Sequence, residues 1–140
     1  MYPLQQKFVV LTTGLITLIA GCGYRNGPTL GTVTGLVTLN GKPLKAVNVV
    51  FTPKEKGSPS YGGTDNNGRY YMKFNSTRSG VQVGSHSVQI ENRTIETDDS
   101  GNPLTPVNSI PVPEKYTQPG ALSAEVFPGT NELDFELTGQ

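Results

Sequence analysis

Apolar and polar residues alternate along this chain in short stretches separated by turn-forming residues. Over residues 32–39, Val33, Gly35, Val37 and Leu39 fall on one face, and Thr32, Thr34, Leu36 and Thr38 on the other. That period of two predicts a strand with one buried face. Asn40-Gly41 follows, a dipeptide suited to the left-handed positions of a two-residue hairpin turn. Lys42-Pro43-Leu44 leads out of the turn, and Val47, Val49 and Phe51 predict the inward face of a second strand. Residues 53–60 (PKEKGSPS) read as a charged loop.

Thr64-Asp65-Asn66-Asn67-Gly68-Arg69-Tyr70 predicts a tight reversal around which the other strands assemble. Gly68 can take the left-handed angle that closes a three-residue hairpin loop. Asp65 and the two Asn residues can hydrogen-bond their own backbone there. Tyr70, Met72 and Phe74 then alternate with Arg69, Tyr71 and Lys73. After a polar connection over residues 75–83, His86, Val88 and Ile90 alternate with Ser85, Ser87, Gln89 and Glu91. Residues 92–113, rich in Thr, Asp, Asn and Pro, break the pattern as a long connection. Leu122, Ala124 and Val126 resume it, Pro128-Gly129 marks a turn, and Leu133, Phe135 and Leu137 close the chain. No stretch has a sustained helical period. About seven short strands with such punctuation predict an all-β antiparallel sandwich.

Composition narrows the chemistry. Acidic and basic residues balance at 11 each, so no field of one sign points to nucleic acid. With one Cys and one His, neither an intrachain disulfide nor a zinc site of several Cys and His ligands can form. No cofactor motif is present.

The N-terminus reads as an address. Lys7 precedes an apolar run over residues 8–20 that is short for a membrane span and suits a signal-peptide core. The run ends in Ile19-Ala20-Gly21-Cys22, which resembles the lipobox of bacterial lipoproteins. The resemblance implies cleavage before Cys22, a lipid on its sulfur and acylation of the new N-terminus. Several acyl chains on one residue anchor firmly where one does not. The expected organisation is a signal peptide over residues 1–21, a lipidated cysteine and polar tether over 22–31, and a β-sandwich over 32–140.

Gly35-Leu36-Val37-Thr38-Leu39-Asn40-Gly41-Lys42-Pro43-Leu44, Val49-Val50-Phe51 and the Thr64 to Tyr70 stretch together resemble the carboxypeptidase regulatory-like domains. Gly84-Ser85-His86-Ser87-Val88, Ile110-Pro111, Lys115-Tyr116 and Pro128-Gly129-Thr130-Asn131 fit the same pattern, which is similar to small lipoproteins of planctomycete bacteria. The resemblance implies a prealbumin-like (transthyretin-like) β-sandwich and carries no catalytic residues over. One enzyme of that fold, the ureide hydrolase of purine breakdown, uses more than one His, an Arg and a C-terminal Tyr-Arg-Gly-Ser. This chain has one His and reads Leu137-Thr138-Gly139-Gln140 at that place, so its activity is not expected here.

Several residues invite a functional reading. Asp65-Asn66-Asn67-Gly68 has oxygen ligands and a Gly turn, but lacks the alternating acidic ligands of a calcium loop. His86, on the face of Val88 and Ile90, is expected as a half-buried core residue with both ring nitrogens hydrogen-bonded; a general base would need a positioned partner. Asn75-Ser76-Thr77 and Asn92-Arg93-Thr94 match the glycosylation acceptor pattern as chance occurrences in polar turns. Residues 92–116 offer the best interaction loop, with Ile110, Pro111, Lys115 and Tyr116 as its candidates, although such a segment also serves to cover its own sheet edge.

The expectation is therefore a non-enzymatic, lipid-anchored module of a bacterial cell envelope, on the periplasmic or outer-membrane face. Its partners would be the membrane, through Cys22, and an envelope protein or another copy of the chain. The alternative is a glycan-binding module using Tyr61, Tyr71 and Tyr116, which would favour it if exposed on one face.

Overall fold

The computed structural model of the chain describes residues 27–93, 99–100 and 110–139. Cys22 and the signal segment, like most of the loop between residues 93 and 110, lie outside the described residues. The strands run β1 (Leu30–Leu39), β2 (Lys42–Pro43), β3 (Val47–Pro53), β4 (Ser60–Gly63), β5 (Arg69–Tyr71), β6 (Val81–Gln82), β7 (Gly84–Asn92), β8 (Leu122–Val126), β9 (Gly129–Glu132) and β10 (Phe135–Leu137). A 3₁₀ turn at Glu114–Tyr116 precedes β8. The strands form two largely antiparallel sheets packed as an open sandwich, as the alternation predicts.

The four-stranded sheet has the order β4-β3-β7-β8. The other is built on β1, whose two edges are filled in different ways. Along one edge β6, β5 and β2 pair antiparallel in succession; along the other β9 and β10 pair parallel. Three of these elements were not distinguished in the sequence pattern. β2 and β6 are two residues long, and β9 reads Gly-Thr-Asn-Glu with no apolar alternation. Pairing to β1, and not local pattern, makes them strands.

β9 and β10 keep one register against β1, Gly31 opposite Gly129 and Val37 opposite Phe135, and so form a single strand interrupted at Leu133 and Asp134. Side chains repair the interruption. Tyr70 Oη donates to the Leu133 carbonyl, and Leu36 N–H donates to Asp134 Oδ1 at 2.8 Å. A Cβ at position 35 would lie 1.9 Å from the Leu133 oxygen, so Gly35 is the residue that lets the chain pass. Burial, and then the Asp134 charge, push the Tyr70 phenol well above its ordinary pKa, which keeps the hydroxyl proton available for this bond.

The two predicted turns form as expected. Asn40 (φ 51°) and Gly41 (φ 79°) are both left-handed. In the second turn Gly68 has φ 74°, Gly68 N–H donates to the Asp65 carbonyl, and Asp65 Oδ1 accepts from Asn67 N–H at 2.8 Å and Arg69 N–H at 3.0 Å. This reversal passes the chain between layers, since β4 belongs to one sheet and β5 to the other.

Inside, Val33, Val37, Met72 and Leu137 of the β1 layer meet Val49, Phe51, Val88 and Ile90 of the other. A run of rings crosses the sandwich: Tyr70 stacks on Phe135 (centroids 6.2 Å apart), Phe135 meets Phe51 edge-on (6.1 Å), and Phe51 meets His86 (5.8 Å). Phe74, placed inward by the alternation, is only half-buried and sits beneath Arg78.

The repaired interruption is testable. Tyr70→Phe leaves the Leu133 carbonyl without its donor and is expected to cost about 1–3 kcal/mol in urea unfolding with an unchanged m value. Because Asp134→Ala acts on the same break, the double variant should lose less or more than the sum of the singles. A Tyr70→Phe loss below about 0.5 kcal/mol would show that the carbonyl is satisfied without the hydroxyl.

Candidate functional site

Where β4 crosses to β5, a shallow cleft of about 580 Å³ opens on the outer surface. Its lining includes Asn48, Tyr61, Gly63, Asp65, Arg69, Tyr71 and Lys73. Tyr61 and Tyr71 point outward because each alternates with buried neighbours on its strand, Ser60 and Gly62 beside the first, Tyr70 and Met72 beside the second. They are 55% and 45% exposed, high values for rings of that size. Of the three tyrosines in the glycan expectation, two meet here.

Tyr116 does not line this cleft. It is half-buried in the 3₁₀ turn, packs against the core, and its Oη accepts from Thr138 N–H at 3.0 Å. The hydrogen bonds from Thr138, and less strongly the Lys115 ammonium 4.9 Å from the ring centre, lower its pKa. Lys115 also donates to Thr138 Oγ1 at 3.3 Å. Ile110 and Pro111 are exposed, whereas Val112 is buried and its N–H donates to Asn92 Oδ1 at 2.9 Å. Residues 112 and 116 thus fasten this end of the long connection onto its own sandwich, and the exposed candidates are confined to Ile110, Pro111 and Lys115.

The Asp65 carboxylate serves the turn, as its two backbone donors show. Among the described residues no cluster of three or more His, Cys, Asp or Glu is placed to hold a metal ion. Asn75 Oδ1 accepts from Thr77 and Arg78 N–H groups and Asn92 Oδ1 from Val112, so both acceptor-pattern asparagines hold backbone.

No family model, curated protein or solved structure matches the chain.

His86 departs from expectation. It is 1% exposed, fully buried and not half-buried. Nδ1 lies 2.9 Å from the Gly84 carbonyl and must carry the proton that the oxygen accepts. Nε2 is buried with no hydrogen-bond partner among the described residues. A polar cleft of about 430 Å³, with Lys54, Glu55, Gln82 and Glu125, lies against it. Burial lowers the imidazole pKa below its ordinary value, although the Gly84 carbonyl and Glu125 oppose the shift.

Asn131, quoted in the sequence only as part of a turn landmark, holds that turn together. Its Oδ1 accepts from Phe127 N–H at 2.9 Å, and its Nδ2 donates to the carbonyls of Phe127 (2.8 Å) and Thr32 (3.1 Å), fixing the turn that leaves Phe127 63% exposed. Nothing in an isolated Asn announces such a role. The cleft did leave a signal, the Gly62-Gly63 pair inside a strand, since Gly there marks a close approach.

The buried imidazole makes stability depend on pH. An unfolded chain takes up the His86 proton near its ordinary pKa of about 6.5, which the folded domain refuses until lower pH. His86 therefore contributes full stability above that value and loses it as pH falls below, at no more than about 1.4 kcal/mol per pH unit. Denaturant midpoints between about pH 7 and 5 are expected to fall more steeply for the wild type than for His86→Leu. Parallel curves would mean that His86 is charged at no cost in the folded state.

Proposed function

We propose that the chain is a lipid-anchored, non-enzymatic module of a bacterial envelope, of the carboxypeptidase regulatory-like type, acting as a structural element or adaptor. The observation that carries this reading is Ile19-Ala20-Gly21-Cys22 placed a few residues before β1, which starts at Leu30. At about 3.3–3.6 Å per extended residue, the sandwich would stand within about 30 Å of the lipid. The turn landmarks behind the family likeness, Asn40-Gly41 and Asp65 to Gly68, sit in left-handed turns, which supports the fold-level part of the reading. A second reading, a glycan-binding module, is favoured by the meeting of Tyr61 and Tyr71 in one cleft.

Fractionation of cells expressing the tagged chain tests the anchor. The wild type is expected with membranes and Cys22→Ser in the soluble fraction; equal membrane retention of both would overturn it. In-cell crosslinking tests the adaptor role. One envelope protein captured by the wild type should be lost when residues 94–109 are shortened, a change that spares Asn92, Val112 and Tyr116. Capture unaffected by that deletion would move the contact elsewhere on the domain.

A further inference from the structure

The residues of the Tyr61–Tyr71 cleft occupy a regular lattice. Tyr61 and Lys73 bridge antiparallel, as do Thr64 and Tyr70, and that common register sets Gly63 opposite Tyr71. On its other side Gly63 faces Asn48, while Tyr61 faces Val50. Residues two apart share a face. Gly63 is therefore a gap in an otherwise filled surface, with a tyrosine beside it along β4 and another across on β5.

A guanidinium lies over that gap. A Cβ on Gly63 would come within 2.3 Å of Arg93 Nη2, which donates to the Thr64 carbonyl at 3.3 Å. Only part of the five-donor fork is engaged among the described residues. Arg69 on β5 and Lys73 just beyond it add two cations. Among the described residues, the carboxylates nearby are Asp65 in the lining, whose Oδ1 is held by two backbone N–H groups, Glu91 one strand beyond Asn48, and Glu132 and Asp134 one strand beyond Thr34 and Leu36. In the lining itself Arg69 and Lys73 outnumber the one carboxylate, Asp65, with the Arg93 guanidinium beside them at Gly63.

We propose that this cleft binds an acidic polysaccharide, one whose sugar units carry carboxylates. The inference rests on the glycan reading above and names its ligand class. Exposed tyrosine rings offer apolar faces to sugar C–H groups. The Asn48 amide can donate to and accept from ring hydroxyls. The Arg93 fork matches a planar carboxylate in two-point contact, and Lys73 and Arg69 supply the surrounding field. A shallow trough on a sheet face, open to solvent, suits an internal unit of a polymer better than a small free sugar.

Affinity electrophoresis of the full chain in mild detergent tests this, with polygalacturonate, alginate and neutral dextran cast separately in the gel. Retardation is expected in both acidic polymers and not in dextran, and it should vanish in the Tyr61→Ala/Tyr71→Ala variant. Arg69→Gln/Lys73→Gln should weaken retardation about tenfold, because charge-assisted contacts are lost. All four substituted side chains are on the surface, and an unchanged thermal midpoint checks that the variants fold. Equal retardation in dextran would overturn the acidic class while leaving the glycan reading in place. No retardation in any gel would overturn both. Unchanged retardation of the double tyrosine variant would overturn the cleft as the site.

Discussion

The double occupancy of β1 is the constraint on which the rest of this domain depends. A strand has two hydrogen-bonding edges, and here one is completed by three antiparallel pieces and the other by two parallel ones. Gly31, Thr34 and Leu39 each have a partner on both sides. Those partners come from residues 42 to 137, so β1 cannot complete its pairing until almost the whole chain has arrived. Contacts of such long sequence separation slow folding and make it cooperative. They also explain why very short strands persist. A two-residue strand such as β6 has little stability alone, but it fills a defined vacancy on a strand already held from the opposite edge.

The same constraint separates what could be read in the sequence from what could not. Asn40-Gly41 and the Asp65 to Gly68 turn were legible because their geometry is set within a few residues, by left-handed angles and one carboxylate. The inward faces of β1, β3 and β7 were legible because burial imposes a period of two. β9 was hidden because its sequence is polar and its existence is owed to Gly31 to Thr34 on the far side of the chain. The repair of the interrupted strand was hidden for a related reason. Neither Tyr70 nor Asp134 is unusual locally, and their roles appear only when Leu133 and Leu36 are brought beside them.

The candidate site follows the same division. Tyr61 and Tyr71 were named from the sequence as rings that exposure would make interesting, and alternation alone turns them outward. Their meeting was not legible, since it depends on the register with which β4 crosses to β5. Arg93 follows the last residue of β7 and reaches the gap over Gly63 only because β7, β3 and β4 lie side by side. His86 was legible as an inward residue. That its Nε2 has no partner among the described residues was not, because hydrogen-bond satisfaction is a property of the packed interior and not of the strand pattern.

β1 also joins the two parts of the functional proposal. The tether would enter at Leu30, while the cleft is borne on the partners of Thr34 and Leu36, namely Tyr71 and Arg69. At about 3.3 Å per residue these positions lie about 13–20 Å along the strand from the anchored end. A ligand in the cleft would thus be held along the flank of β1 and not at its first residue. Pull on such a polymer would pass from β5 into β1 across its hydrogen-bonded ladder and on to the tether. The strand that would receive the load is the one paired along both edges.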